Sequence, residues 1–522
     1  MNRTLCCAVW LAAVLAFIGL ATSADAEIAS QRSQAAGLQS WAELSTCKIF
    51  RDHLPPADAP RELRICAARN EWESAQWVLR PDRPVTLVSA DVTVPTRSDG
   101  RRLAPGSVGL LEVRYVHLPN YKKDYPDPLP PLKLPLSLAA GQTQPIWIRV
   151  RIAADTEPGD YHGGLQLRFD DGSAEAVPLT VTVWPLTLPA KPSMRTAFGI
   201  WDKWIAVHHE VSPGSAEHRR LVEAYYEELL EHRISAYSPP VSVLDPAAGR
   251  YLSDERVTSF TVPYSDDEAK LRRTIEHIRQ NGWQDKGYFY VVDEPKDEEQ
   301  YRRLTEVCRK IHAIDPSLKI VAPFYCDSEF GEKKTPYELL RGLINIWCPN
   351  TGYFKPEPLI ERQQAGDEAW WYVCCGPGEP HANFFIEMAG MSHRMLMWQQ
   401  KKYGVEGLLY WGTTAWNTSS TTDPWEDMAT VKDINPYIHG DGALFYPGKK
   451  VGVDGPVTSV RLEIIRDGLE DYEYLTLYEK QFGPARTQEL ISRVVKSLTE
   501  FERDPAVLDR LRQEMARMLM SK

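Results

Sequence analysis

The chain has 522 residues, 43% of them hydrophobic and 25% charged, with a formal net charge of −11. That composition is ordinary for a globular protein, and the length asks for about two to four domains rather than one. An acidic balance with no basic run argues against a nucleic-acid partner.

Residues 1–26 read as a secretory signal peptide. Arg3 supplies the positive end, VWLAAVLAFIGLA the apolar stretch, and Ala24-Asp25-Ala26 a small-residue cleavage site. The expected location is therefore periplasmic or secreted. No later stretch is apolar enough to span a membrane. Beyond the leader stand Cys47, Cys66, Cys308, Cys326, Cys348, Cys374 and Cys375. Export permits disulfides, the odd count leaves at least one thiol over, and Cys47 with Cys66 is a candidate bridge. No Cys/His spacing fits a zinc site.

Residues 40–189 read as an all-β domain. QWVLR, SVGLLEVRYVHL, QPIWIRVRI and AVPLTVTVWPLTL are rich in Val, Ile, Leu and Trp. RSDGR, EPGDYHGG and FDDGSA supply turns between such runs, and the pattern predicts a β-sandwich. TLPAKPS, at 187–193, reads as a linker.

Residues 194–435 change rhythm to alternating strands and helices. The predicted strands are MRTAFGIW, ISAYSPP, VTSFTVPY, KGYFYVVDEP, LKIVAPFY, LINIWCPN, EAWWYVCCGP and VEGLLYWGTTAW. AEHRRLVEAYYEELLEHR, DDEAKLRRTIEHIRQNG and DEEQYRRLTEVCRKIHAI have helical periodicity between them. Eight strands with helical crossovers predict a (β/α)8 TIM barrel. Residues 440–522 read as a mostly helical extension, with GALFYPG as a strand or turn at its start.

In such a barrel, active sites lie at the C-terminal ends of the strands. The fourth predicted strand runs from Gly287 to Val292 and ends on two adjacent acids, Asp293 and Glu294, followed by Pro295. One reading makes the acids a helix cap. Asp297 suits that task better, with Glu298 and Glu299 in the first turn behind it. Adjacent strand residues point to opposite faces, so the two acids can share a pocket only where the chain turns, and Pro295 favours a turn. Aromatic walls would raise one carboxyl pKa by desolvation, as a general acid requires. Other predicted strand ends offer Trp201, Trp347, Tyr372, Asn383, Tyr410, Trp411 and Trp416 as substrate-binding candidates. Indole stacks on the apolar faces of a sugar ring, and it also fills cores. Strand alternation lets only some of these side chains face the mouth.

YPDPLPPL, WIRVRIAADTEPGDYHGGLQL, YVVDEP, WWYVCCGPGEPHANFFIE, GLLYWGTTAW and the pair GALFYPG with SVRLEIIRDGLEDYEYL occur in this order between Tyr125 and Leu475. In this ordered set the chain resembles glycoside hydrolase family 123. The resemblance implies a β-sandwich, a catalytic (β/α)8 barrel and a C-terminal extension. It also implies a retaining exo-β-N-acetylgalactosaminidase that needs no cofactor or metal. Asp293 would orient the substrate's 2-acetamido group, Glu294 would serve as general acid and then base, and the acetamido oxygen would act as nucleophile, an exception to the usual two-carboxylate scheme. Two alternatives stay open: a glycosidase of other sugar specificity with a direct carboxylate nucleophile, and a non-catalytic carbohydrate-binding protein.

Overall fold

A computed structural model describes residues 37–325, 335–416 and 423–521. The predicted leader at 1–26 and Cys326 lie outside the described residues.

The N-terminal region is β-rich. One sheet orders Leu38–Leu44, Glu71–Pro81, Gln144–Ile152 and Val108–Glu112; the other orders Leu63–Arg69, Ala174–Thr187, Gly159–Phe169, Val85–Arg97 and Leu136–Leu138. Alternation sets their inner faces. Val177, Leu179, Val181 and Val183 share one apolar cluster with Trp77, Leu79, Ile146 and Ile148 of the other sheet. The sequence FDDGSA makes the hairpin between Gly159–Phe169 and Ala174–Thr187, and Gly172 takes the positive φ of +82° that the tight turn needs. Cys47 and Cys66 are free thiols, so the candidate bridge is not formed.

The central region is a nearly closed barrel of seven parallel strands. In sheet order they are Arg195–Phe198, Gly407–Tyr410, Glu368–Val373, Ile346–Pro349, Lys319–Phe324, Gly287–Tyr290 and Phe260–Thr261. The predicted strand ISAYSPP is reduced to a bridge between Ala236 and Phe198. The backbone there still spans the gap: Tyr237 N–H donates to Phe198 O at 2.9 Å, and Thr261 N–H donates to Tyr237 O at 2.7 Å. Hydroxyl groups explain the missing ladder. Ser235 N–H donates to Thr196 Oγ1 at 2.7 Å and Thr258 N–H donates to Ser235 Oγ at 2.8 Å, so side chains take bonds that carbonyls take in a regular strand.

Inside and outside of the barrel follow the period of two. Tyr288, Val321, Ile346, Cys348, Trp370, Tyr372 and Leu409 fill the interior, with Tyr237, Tyr290, Tyr325 and Cys374 beside them. Phe289, Ile320, Ala322 and Trp347 face outward against Leu271 and Ile275 of the helix Glu268–Gln280 and Leu304 and Val307 of the helix Glu298–Ile314. Asp297 caps the latter helix as its sequence predicts, accepting from Gln300 N–H at 2.8 Å.

The C-terminal part is mostly helical. Its long helix Val460–Phe482 is capped by Ser459 and buried on all sides from Val460 to Leu475. It wedges between the barrel and the N-terminal sheets, and its charges are paired inside. Arg461 meets Asp127 at 2.9 Å with both side chains fully buried, and Arg149 of the N-terminal sheet meets Glu463 at 3.2 Å. Among the described residues no helix is long and apolar enough to cross a membrane.

Candidate active site

Because all seven strands are parallel, their C-terminal ends open onto one mouth. The strand Gly287–Tyr290 stops two residues earlier than its apolar run suggests, and Val291 and Val292 already belong to the loop that carries the acids. The turn there is sharp. Glu294 has a φ of +41°, a left-handed conformation that costs a residue with a Cβ about 1–2 kcal/mol. Such strain persists only where the surroundings enforce it, and it concentrates at functional sites. The turn separates the two carboxyls while keeping them neighbours.

Each acid has its own tyrosine. Tyr290 donates its hydroxyl hydrogen to Asp293 Oδ1 at 2.7 Å. Tyr372 donates to Glu294 Oε1. Two strands stand between Gly287–Tyr290 and Glu368–Val373 in the sheet, so the second bond reaches across the mouth. Tyr290 and Tyr372 both belong to the interior layer. Burial holds the Glu294 carboxyl above the usual carboxylate range, the Tyr372 bond opposes that shift, and the Asp293 charge adds to it. Asp293 is exposed and keeps Oδ2 for a ligand. The pair thus offers a carboxyl that favours its proton beside a carboxylate that can accept from an N–H.

The aromatic candidates divide. Trp201, 41% exposed, and Trp411, half-buried, stand at the mouth with ring centroids 6.4 Å apart. Trp201 also lines a cleft of about 310 Å³ with Tyr237 and Pro239 at the ends of the first strand and of the 234–237 segment. Tyr372 contacts Glu294 directly.

The structure places the other four candidates elsewhere. Trp347 is fully buried on the outer face of its strand, its indole N–H donating to Asp367 Oδ2 at 2.8 Å. Tyr410 also points outward, against Phe198 and Phe384, because Leu409 takes the interior position next to it. Trp416 packs on Tyr225 and donates to Phe445 O at 2.8 Å. Asn383 is fully buried and braces the chain after the seventh predicted strand, donating to Cys374 O at 3.0 Å and Pro377 O at 2.9 Å. These four side chains are buried and engaged in packing and bracing.

Asp441, which sequence reasoning missed, fixes Trp411. Its Oδ2 accepts from the Trp411 indole N–H and its Oδ1 from the Tyr410 hydroxyl, both at 3.1 Å. Burial pushes its carboxyl up to about 7. Gly442 completes the seat: it has φ +71°, and a Cβ there would sit 2.2 Å from the Trp411 ring. The signal in the sequence was the Gly-Asp-Gly turn at 440–442, although nothing in it names Trp411 as partner. Tyr290 was also missed, and it shares the face of Tyr288 by simple alternation. Among the described residues no group of three or more His, Cys, Asp or Glu side chains is arranged to hold a metal ion.

Residues 193–478 match the family model described as the glycoside hydrolase 123 catalytic domain. A family 123 glycoside hydrolase from Clostridium perfringens, whose structural analysis concerned glycolipid glycan hydrolysis, shares the fold. It aligns over 92% of this chain and 97% of its own, at 14% identity and a TM-score of 0.68. A family 39 glycoside hydrolase from the gut symbiont Bacteroides cellulosilyticus aligns over 72% of this chain and 80% of its own, at 10% identity, but its TM-score of 0.30 carries no argument. No curated protein matches the chain in sequence.

Proposed function

Because the chain belongs to glycoside hydrolase family 123 and is a glycoside hydrolase, we propose that it is an exported, retaining exo-β-N-acetylgalactosaminidase working through its substrate's own 2-acetamido group. The observation that carries this reading is the unequal treatment of two adjacent acids. Glu294 is raised by burial and held by Tyr372, whereas Asp293 is exposed and held by Tyr290. An acid poised to give a proton beside a carboxylate free to accept an amide N–H is the pairing that substrate assistance needs.

Glu294 gives its proton to the glycosidic oxygen as the bond to the anomeric carbon breaks. The acetamido oxygen attacks that carbon and closes a five-membered oxazolinium ring. Asp293 accepts from the amide N–H, turns the group toward the carbon and stabilises the positive charge that develops on it. Glu294, now a carboxylate steadied by the Tyr372 hydroxyl, takes a proton from water. That water attacks the anomeric carbon and reopens the ring. Two inversions leave the β configuration retained. Trp411, and Trp201 beside it, offer the aromatic face on which the sugar stacks. Export rests on the leader pattern of the first 26 residues. The 234–237 segment, with its bonds to Phe198 and Thr261, supports reading the barrel as eight-stranded, and the shared apolar cluster of the two N-terminal sheets supports reading them as a sandwich.

Aryl β-glycosides with and without a 2-acetamido group, in galacto and gluco forms, test the proposal. Turnover confined to the 2-acetamido galactoside is expected. Equal turnover of the 2-hydroxy galactoside would favour direct attack by a carboxylate instead.

A further inference from the structure

The strand that carries Tyr372 ends at Val373 and passes straight into Cys374 and Cys375. Their sulfurs lie 3.9 Å apart, and both residues are partly exposed. Cys374 packs beside the interior cluster that contains Tyr372, and Cys375 and Trp411 both pack against the cluster of Phe385 and Met388. The pair therefore sits between the tyrosine that contacts Glu294 and the tryptophan of the mouth. Of the other cysteines among the described residues, Cys308 and Cys348 are buried, Cys348 within that same interior cluster, and Cys47 and Cys66 belong to the N-terminal region.

We propose that Cys374 and Cys375 are a redox modification site, a vicinal dithiol that closes to a disulfide at the wall of the sugar site and thereby switches the acid chemistry of Glu294. The co-reactant is a disulfide, either of a small thiol or of a protein. A thiolate of the pair attacks one of its sulfurs and expels one thiolate, giving a mixed disulfide. The neighbouring thiol loses its proton and attacks the bonded sulfur, and the second thiolate leaves. The sum is two cysteine thiols plus one disulfide giving one intramolecular disulfide plus two free thiols.

Three features of the site support the order and the consequence. The hydrogen bond between the two sulfurs, in which either can be the donor, favours the thiolate of one member of the pair. The two residues lie in a bend outside the ladder, where the backbone has room to turn. Bonded sulfurs stand about 2.05 Å apart, so closure from 3.9 Å requires both side chains to move. That movement acts on the carbonyl of Cys374, which accepts from Asn383, and on its sulfur, which accepts from Asn350 at 3.8 Å. Tyr372 lies two residues upstream, so its bond to Glu294 shifts with them.

The consequence for rate rests on the reading of Glu294 as general acid; the cross-link itself does not. The protein is incubated with oxidised glutathione and digested for peptide mass spectrometry, and a second aliquot is assayed before and after reduction. The expected map shows a peptide that has lost two hydrogens at Cys374–Cys375 and carries no glutathione. The expected rate falls about tenfold on a substrate with a poor leaving group and less on an activated aryl glycoside, since only the first needs full acid assistance, and both recover on reduction. Cys375→Ser should lose the response to oxidant. A glutathione adduct alone, or no bond at these residues, overturns the modification site whatever the function of Glu294. A mapped disulfide with unchanged rates, or equal losses on both substrates, overturns the link to Glu294 and leaves the general-acid reading to be judged by its own tests.

Discussion

Glu294 should be a residue that the fold would be better off without. Its φ of +41° costs about 1–2 kcal/mol for any side chain with a Cβ, and glycine escapes that cost. Glu294→Gly and Glu294→Ala both delete the carboxyl and the Tyr372 contact, so their difference isolates the backbone. Glycine's greater freedom in the unfolded chain offsets about 0.4–1 kcal/mol of its advantage. The glycine variant should therefore be at least as stable as the alanine variant, by up to about 1.6 kcal/mol, the reverse of the usual ranking. The charge adds a pH signature. The folded-state carboxyl is raised above its unfolded value by burial, so the native state binds the proton more tightly than the unfolded chain does. The stability associated with the protonated form is complete below the unfolded value of about 4.3 and is lost as the pH rises through the folded one. Glu294→Gln, which cannot ionise, should gain on the wild type as the pH climbs through that window. Urea unfolding of the four proteins across pH reads both effects. A glycine variant less stable than the alanine variant would refute the strain, and a wild-type–glutamine gap independent of pH would refute the raised carboxyl.

Three further outcomes follow from the same contacts. Tyr372→Phe removes the donor that opposes the upward shift of Glu294, so the basic limb of kcat/KM should move to higher pH, and an unmoved limb would separate Tyr372 from the acid. Trp411→Ala should weaken binding of the product sugar by about 1–3 kcal/mol, read by product inhibition, if the indole is the stacking face; normal inhibition in a folded variant would make Trp411 a packing residue only. Arg461→Leu leaves Asp127 buried without its cation and should cost about 3–5 kcal/mol in urea unfolding, against a negligible loss if the pair were solvated.

The sequence made some of this legible and hid the rest for physical reasons. Period-two runs and turn residues located the N-terminal strands, because each strand buries one face. The acids at the end of an apolar run were visible because Asp297 already served as cap, leaving Asp293 and Glu294 without a structural task. The facing of the aromatics was not visible. Alternation gives two faces without saying which is inside, and Trp347 and Tyr410 fell on the outer one beside Cys348 and Leu409. The 234–237 segment lost its ladder to Thr196, Ser235 and Thr258 hydroxyls, a competition between partners distant in sequence. Asp441 was hidden for the same reason, lying thirty residues beyond the indole it holds. The charges of Val460–Phe482 would suit an exposed helix, and partners on other elements, among them Asp127, Arg149 and Arg394, account for their burial.

Binding of a thiazoline mimic of the cyclised intermediate, to the wild type and to Asp293→Asn, tests substrate assistance most directly. The mimic resembles the ring that the acetamido group forms, and asparagine keeps the shape of Asp293 while removing its charge. Electrostatic contacts of this kind are worth about 10²–10³-fold. Tight inhibition of the wild type is expected, with binding to Asp293→Asn weaker by about that factor. Indifference of the wild type to the thiazoline, together with a glycosyl–Asp293 adduct trapped by a 2-fluoro sugar, would contradict it and make Asp293 the nucleophile.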